Sequence, residues 1–233
     1  MIVEPSFSAA ELTSLKGETR IEDPTRAQRT IVRRTAESRA TVPDLELDCE
    51  VDMEKCFALA REHSCVVIAL VVRACALALR HVPHANAAYR DGRFELYSRV
   101  NVGVTVETDD AYLIPTVLDA DQKSLPELAV ELATLTRRAH AGELTPPELS
   151  GATFTLTDHG DDGVTRGGVL VNPPQAAALA AGAIRSVPVV REGTVVPGHA
   201  MTLTLACDHR ILYGVRAARF LRHIADRLEE GRL

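Results

Sequence analysis

Met201-Thr202-Leu203-Thr204-Leu205-Ala206-Cys207 runs directly into Asp208-His209-Arg210-Ile211-Leu212-Tyr213-Gly214, and Val215 to Glu230 follows. The first seven residues read as an apolar strand and the last segment as an amphipathic helix. His209 therefore sits at a strand terminus, in the short loop before a helix. A histidine there is held rigidly yet can face a cleft, and imidazole is the side chain suited to proton transfer near neutral pH. Spacing alone favours an ordinary role over catalysis. The other seven histidines give weaker signals: His63, His81, His84, His140 and His223 fall at helix ends or on polar faces, and His159 and His199 in loops.

Upstream, strands and helices mix without regular alternation, which argues for a layered α/β sandwich rather than a doubly wound sheet. Residues 1 to about 22 lack a period and read as an arm or linker; residues 23–233 form the main domain. Asp23 is a plausible N-cap, with Pro24 in the first turn, of a helix reaching about Arg39 that turns Ile31 and Ala36 inward. Thr41-Val42-Pro43 ends it. Leu45 to Val51 alternates as a half-buried strand, Met53 to His63 fits a short helix, and Val66 to His81 a buried one. Phe94 to Tyr97, Val100 to Glu107 and Leu113 to Val117 read as strands. Ser124 caps a helix to Ala141, with Glu127 completing a capping box and Gly142 at the C-terminal end. A strand at Ala152 to Thr157, a Gly- and Asp-rich loop to Gly168, apolar residues Ala176 to Ile184, and strands at Val187 to Arg191 and Thr194 to Val196 lead back to Met201.

Composition narrows the function. The chain has 233 residues, 46% hydrophobic and 25% charged, with net charge −6 and no tryptophan. An acidic, aromatic-poor surface is a poor platform for nucleic acid. No apolar stretch reaches the ~18–20 residues of a membrane span, and Met1 to Ala10 lacks the pattern of a signal peptide. Five cysteines with no C-x-x-C pair read as small buried hydrophobes rather than a metal site or disulfide framework. A reduced, cytoplasmic protein without a bound metal is expected.

Asp208-His209-Arg210-Ile211-Leu212-Tyr213-Gly214 followed by Ala217-Ala218-Arg219-Phe220-Leu221 resembles the signature D-H-R-x-x-[DN]-G…A-A-R-F. That signature marks the catalytic domain of the dihydrolipoamide acyltransferases, the E2 component of 2-oxo acid dehydrogenase complexes. Other blocks match in order. Thr25 to Ser38 resembles the family's opening R-x-x-I-A-x-R-M-x-E-S, and Thr41-Val42-Pro43 its T-[IV]-P. Asn101-Val102-Gly103-Val104, Leu113-Ile114-Pro115 and Asp119-Ala120-Asp121 resemble its central strands. Gly142 to Leu149 with Gly151-Ala152-Thr153-Phe154-Thr155-Leu156-Thr157, and Asn172-Pro173-Pro174-Gln175, resemble later motifs. The resemblance covers roughly residues 24 to 230.

The resemblance implies a two-layer mixed sheet with helices, like chloramphenicol acetyltransferase, and a homotrimer with active sites between subunits. It implies acyl transfer between a dihydrolipoyl thiol and CoA, with His209 as general base and Thr157 supplying a hydroxyl to the oxyanion. Asp208, Gly214, Tyr213, Arg26 and Arg29 would support the site. CoA is a substrate, and no metal takes part. Implied partners are a lipoyl domain or lipoylated protein, the 2-oxo acid decarboxylase (E1) and dihydrolipoamide dehydrogenase (E3).

Four departures shape these expectations. Tyr213 stands where the family has Asp or Asn, the residue that pairs there with a first-helix arginine. Arg26 or Arg29 must then be re-paired, solvated or bonded to the phenol, since a buried unpaired guanidinium is costly. Asp158-His159 replaces a more neutral turn. No lipoyl attachment site is recognised, the lysines before Lys123 being Lys16 and Lys55, so the lipoyl group is expected on a separate domain or protein. The short tail favours a trimer over a 24- or 60-subunit cage. Alternatives are a free-standing acyltransferase using a carrier-protein phosphopantetheine thiol and a non-catalytic trimeric scaffold; His209 and Thr157, which a scaffold does not need, weigh against the latter.

Overall fold

The computed structural model describes residues 17–109 and 111–233. Residues 1–16 of the expected arm lie outside them. Its secondary structure comprises α1 (Arg26–Thr41), β1 (Asp44–Asp52), α2 (Glu54–Glu62), α3 (Val67–His81), β2 (Ala87–Arg90), β3 (Arg93–Leu96), β4 (Val102–Val104), β5 (Val106–Glu107), β6 (Tyr112–Leu113), β7 (Thr116–Val117), α4 (Leu125–His140), β8 (Phe154–Asp158), β9 (Ala177–Ala181), β10 (Arg185–Arg191), β11 (Thr194–Asp208) and α5 (Gly214–Glu230). Three single-turn 3₁₀ segments join some of these.

A mixed sheet runs β1-β11-β9-β8-β4-β7, with β10 paired to the first half of β11. β8 is parallel to β4 and β9, while β11 is antiparallel to β1, β9 and β10. Side chains alternate across this sheet, as strand geometry requires. Phe154, Leu156, Leu203, Leu205 and Cys207 enter the main core with α3, α4 and α5. α3 is apolar nearly all round and supplies nine buried residues. Phe154 meets Phe220 of α5 edge to face, ring centroids 6.0 Å apart. On the opposite face, Ala206 packs with Val42 and Val171. There α1 and the segment 159–172 cover the strands, tied by the Ser38 hydroxyl, which donates to Val171 O at 2.6 Å. No single helix among the described residues is long and apolar enough to cross a membrane.

Several boundaries differ from the sequence expectations for identifiable reasons. α1 is capped by Thr25, not Asp23: Thr25 and Gln28 close a reciprocal capping box, which satisfies two backbone groups where Asp23 would satisfy one. The helix extends to Thr41. Ile31 is half-buried, but Ala36 is exposed, and the buried residue is Ser38. The expected strand Val100 to Glu107 breaks at Thr105, and Leu113 to Val117 breaks at Ile114-Pro115, where Pro115 O accepts from Val104 N–H. β2 is an added strand. Thr194 to Cys207, expected as two strands, is one continuous strand. Pro188 and Pro197 are register partners there; His199 O faces β1 and Thr202 O faces β9, so Pro197, in step with His199, turns its nitrogen away from β10 and the hairpin loses no donor.

Candidate active site

His209 is held by main chain. Its N–H donates to Pro43 O at 2.9 Å, so the end of α1 and the start of β1 fix the residue's position. The Ile211 and Leu212 N–H groups both donate to Asp208 O at 2.9 Å, folding the chain back immediately after β11. Asp208 is only 3% exposed. Its carboxylate accepts from the Arg210 backbone N–H, and from Arg210 Nε and Nη2 at 2.9 and 2.6 Å. This fork holds the Arg210 guanidinium above its usual pKa and also lays it over the Tyr89 ring. Gly214 starts α5 at φ +43°, a conformation that disfavours side chains with a Cβ. The His209 side chain is exposed at this turn.

Thr157 lies at the other end of the fold's central strands. Phe154 and Leu156 face the core, so Thr155 and Thr157 face the α1 side, where they line a cleft of about 540 Å³. Arg34 and Ile31 of α1, Thr105, Tyr112, Asp158, His159 and residues 168–172 complete most of its walls. The Thr157 hydroxyl lies 3.0 Å from that of Thr105. Partial desolvation raises the Asp158 carboxyl above its ordinary pKa, against the pull of the Gly160 N–H that donates to it at 2.8 Å.

The sequence blocks outside the cleft build its frame. Gln175 Nε2 donates to Ala152 O and its Oε1 accepts from Thr155 Oγ1, clamping β8 from the cleft side. Asn101 donates to Gly151 O and accepts from Asp119 N–H, joining three segments at the start of β4. Gly103 has no room for a side chain: a Cβ would stand 2.7 Å from Ile114 Cγ2. All five cysteines are free, and desolvation raises every thiol, Cys207 to about 12. None offers a ready thiolate.

Within one chain His209 and Thr157 do not meet. Thr157 is level with Ala180 on β9 and, through it, with Thr204 on β11. His209 lies five residues beyond Thr204, at the opposite end of the sheet. At ordinary strand rise and spacing that is about 17 Å along the strand and about 10 Å across it, or about 20 Å in all. Nor does any hydrogen bond or ion pair among the described residues join Tyr213 to Arg26 or Arg29. The Tyr213 ring is 48% exposed and lies 5.1 Å beneath the Arg216 guanidinium. Arg29 Nη1 donates to Pro24 O at 2.6 Å. Both first-helix arginines are exposed, so the desolvation cost of an unpaired buried guanidinium does not arise. Thr105 was not singled out in the sequence: only the parallel pairing of β4 with β8 brings it beside Thr157.

The fold is that of the chloramphenicol acetyltransferase class. A chloramphenicol acetyltransferase structure superposes at TM-score 0.55 over 85% of this chain and 92% of that one, at 16% identity. Residues 16–233 match the family described as 2-oxoacid dehydrogenases acyltransferase (catalytic domain), and the chain belongs to that family. The dihydrolipoyllysine-residue acetyltransferase component of the pyruvate dehydrogenase complex of Rickettsia prowazekii is 31% identical over 201 residues, 82% of this chain and 49% of that protein. The chain thus spans about half the length of this curated relative. The dihydrolipoamide acetyltransferase of Azotobacter vinelandii superposes at TM-score 0.90 and 27% identity, covering 98% of both chains. In that enzyme a serine, a histidine 52 residues later and an asparagine four residues further on have been investigated for their roles in catalysis. The cubic core of a pyruvate dehydrogenase multienzyme complex also superposes at 0.90, at 28% identity and 98% of both chains.

Proposed function

We propose that this chain transfers an acyl group between a dihydrolipoyl thiol and CoA, with His209 and Thr157 contributed by different copies. The observation that carries this reading is one interval. Thr157 and His209 are separated by the same 52 residues as the serine and histidine of the Azotobacter enzyme, and Tyr213 follows His209 by the same four as its asparagine. The separation of about 20 Å within one chain supports a composite site, because neither group alone completes the chemistry. A homotrimer is the simplest assembly that supplies it, and the cubic core of the relatives supports a larger cage as an extension.

In this mechanism neutral His209 takes the proton of the attacking thiol as sulfur adds to the thioester carbonyl. Thr157 donates its hydroxyl proton to the oxyanion of the tetrahedral intermediate. Collapse expels the second sulfur, which recovers the proton from His209. Relatives that act in pyruvate dehydrogenase complexes make the acetyl group the first acyl group to try. They also support the decarboxylase (E1), the dihydrolipoamide dehydrogenase (E3) and a lipoyl domain as partners. Five unpaired cysteines fit a reducing, cytoplasmic compartment, and residues 23–233 act as the catalytic domain.

The test is acetyl transfer between acetyl-CoA and free dihydrolipoamide. The native chain is expected to be active, and His209→Ala to lose about 100- to 10,000-fold in kcat. Equal rates in both proteins would defeat the proposal. Carrier-protein thiols, and then a purely architectural trimer, would become the explanations to pursue.

A further inference from the structure

We infer that Thr105 is a positioning residue for Thr157, its hydroxyl donating to Thr157 Oγ1 so that the Thr157 proton stays free for the oxyanion. The inference rests on the acyl-transfer reading above and concerns a residue that reading does not use.

The geometry starts from the backbone. β4 and β8 are parallel, with Val104 opposite Leu156, and Thr105 N–H continues the ladder by donating to Leu156 O at 2.9 Å. Val104 and Leu156 both face the core. The next residue of each segment, Thr105 just past the end of β4 and Thr157 on β8, faces the cleft, and both line it. Their hydroxyl oxygens are 3.0 Å apart, and among the described residues neither has another hydrogen-bond partner.

A hydroxyl has one proton and two acceptor sites. If Thr157 donated to Thr105, its proton would be spent inside the pair and an arriving oxyanion would meet lone pairs. In the reverse arrangement Thr105 donates to Thr157, and Thr157 donates onward to the substrate. An oxyanion selects this second arrangement, and a chain of two donors polarises the one nearest the charge. Threonine suits both positions, because branching at Cβ restricts χ1 and holds each hydroxyl near one direction.

A cross-strand pair of threonines also supports a sheet with no chemistry attached, so the experiment must separate the two roles. Native protein, Thr105→Val, Thr105→Ser, Thr157→Val and the double valine variant are compared in steady-state acetyl transfer and thermal unfolding. Valine keeps the shape and removes only the hydroxyl. Thr105→Val is expected to lower kcat roughly five- to tenfold while KM for both substrates stays within about twofold. Thr105→Ser should return the rate to within about twofold of native. The double variant should be no slower than Thr157→Val alone, because the relay has nothing to act on once that hydroxyl is gone.

Thr105→Val that lowers only the unfolding temperature, or that slows the Thr157→Val background by the same factor as the native protein, overturns the relay. Transfer that depends on His209 but not on Thr105 leaves the proposed function standing without it. Absence of His209-dependent transfer removes the function and the relay together.

Discussion

The turn that carries His209 and the strand end that carries Thr157 belong to one sheet but are fixed by different chemistry. At the turn the restraints are mostly main chain: His209 N–H on Pro43 O, two N–H groups on Asp208 O, and a single buried carboxylate holding Arg210. At the cleft they are side chains: Thr105 on Thr157, Gln175 on Thr155, Asn101 on the loop before β8. Backbone bonds survive substitution of neighbouring side chains, whereas a hydroxyl lattice changes with each member. The difference explains how Tyr213 can stand beside an intact His209 turn: its side chain is not one of the turn's restraints.

The largest effect should come from removing what both regions share, the apolar layer beneath the sheet. Phe154 is fully buried under the cleft strand. Phe154→Ala is expected to cost about 3–5 kcal/mol, read from urea unfolding; a loss below about 1.5 kcal/mol would mean that the layer closes over the cavity. Asp208→Asn strikes the turn alone. It removes the charge from a buried fork whose arginine is partly solvated, so a loss of about 1–3 kcal/mol is expected. Transfer activity should fall further than the change in folded fraction accounts for. A variant with native kcat would show that the backbone bonds suffice without the carboxylate. Tyr213→Phe should have the smallest effect, within about 0.5 kcal/mol of native stability. Its phenol makes no hydrogen bond to the described residues, and its ring keeps the Arg216 contact. A large loss of rate in that variant would locate a partner for the phenol on a neighbouring copy.

Much of the scaffold was legible because it is locally encoded. The Ser124–Glu127 capping box, the alternation of Leu45 to Val51 and the apolar run of α3 each act over a few residues, and each element formed where those signals lie. The miss at the start of α1 was also local: Asp23 and Thr25 are both good caps, and only Thr25 has Gln28 three residues later to close the box. The joining of Thr194 to Asp208 into one strand was not local, since Pro197 is tolerated where its nitrogen faces away from β10, beyond the stretch that β1 pairs.

The candidate site divides in the same way. By itself the sequence determined which residues are the candidates, a histidine closing an apolar strand and a threonine ending another, because family motifs and residue type are properties of the chain. It also placed Asp208 and Gly214 beside that histidine. Only the tertiary structure decided that His209 and Thr157 face opposite ends of the sheet, that Tyr213 and the first-helix arginines find other neighbours, and that Thr105 touches Thr157. Those outcomes depend on strand order and register, which arise from long-range burial of the whole sheet and leave no trace in the spacing of any one segment.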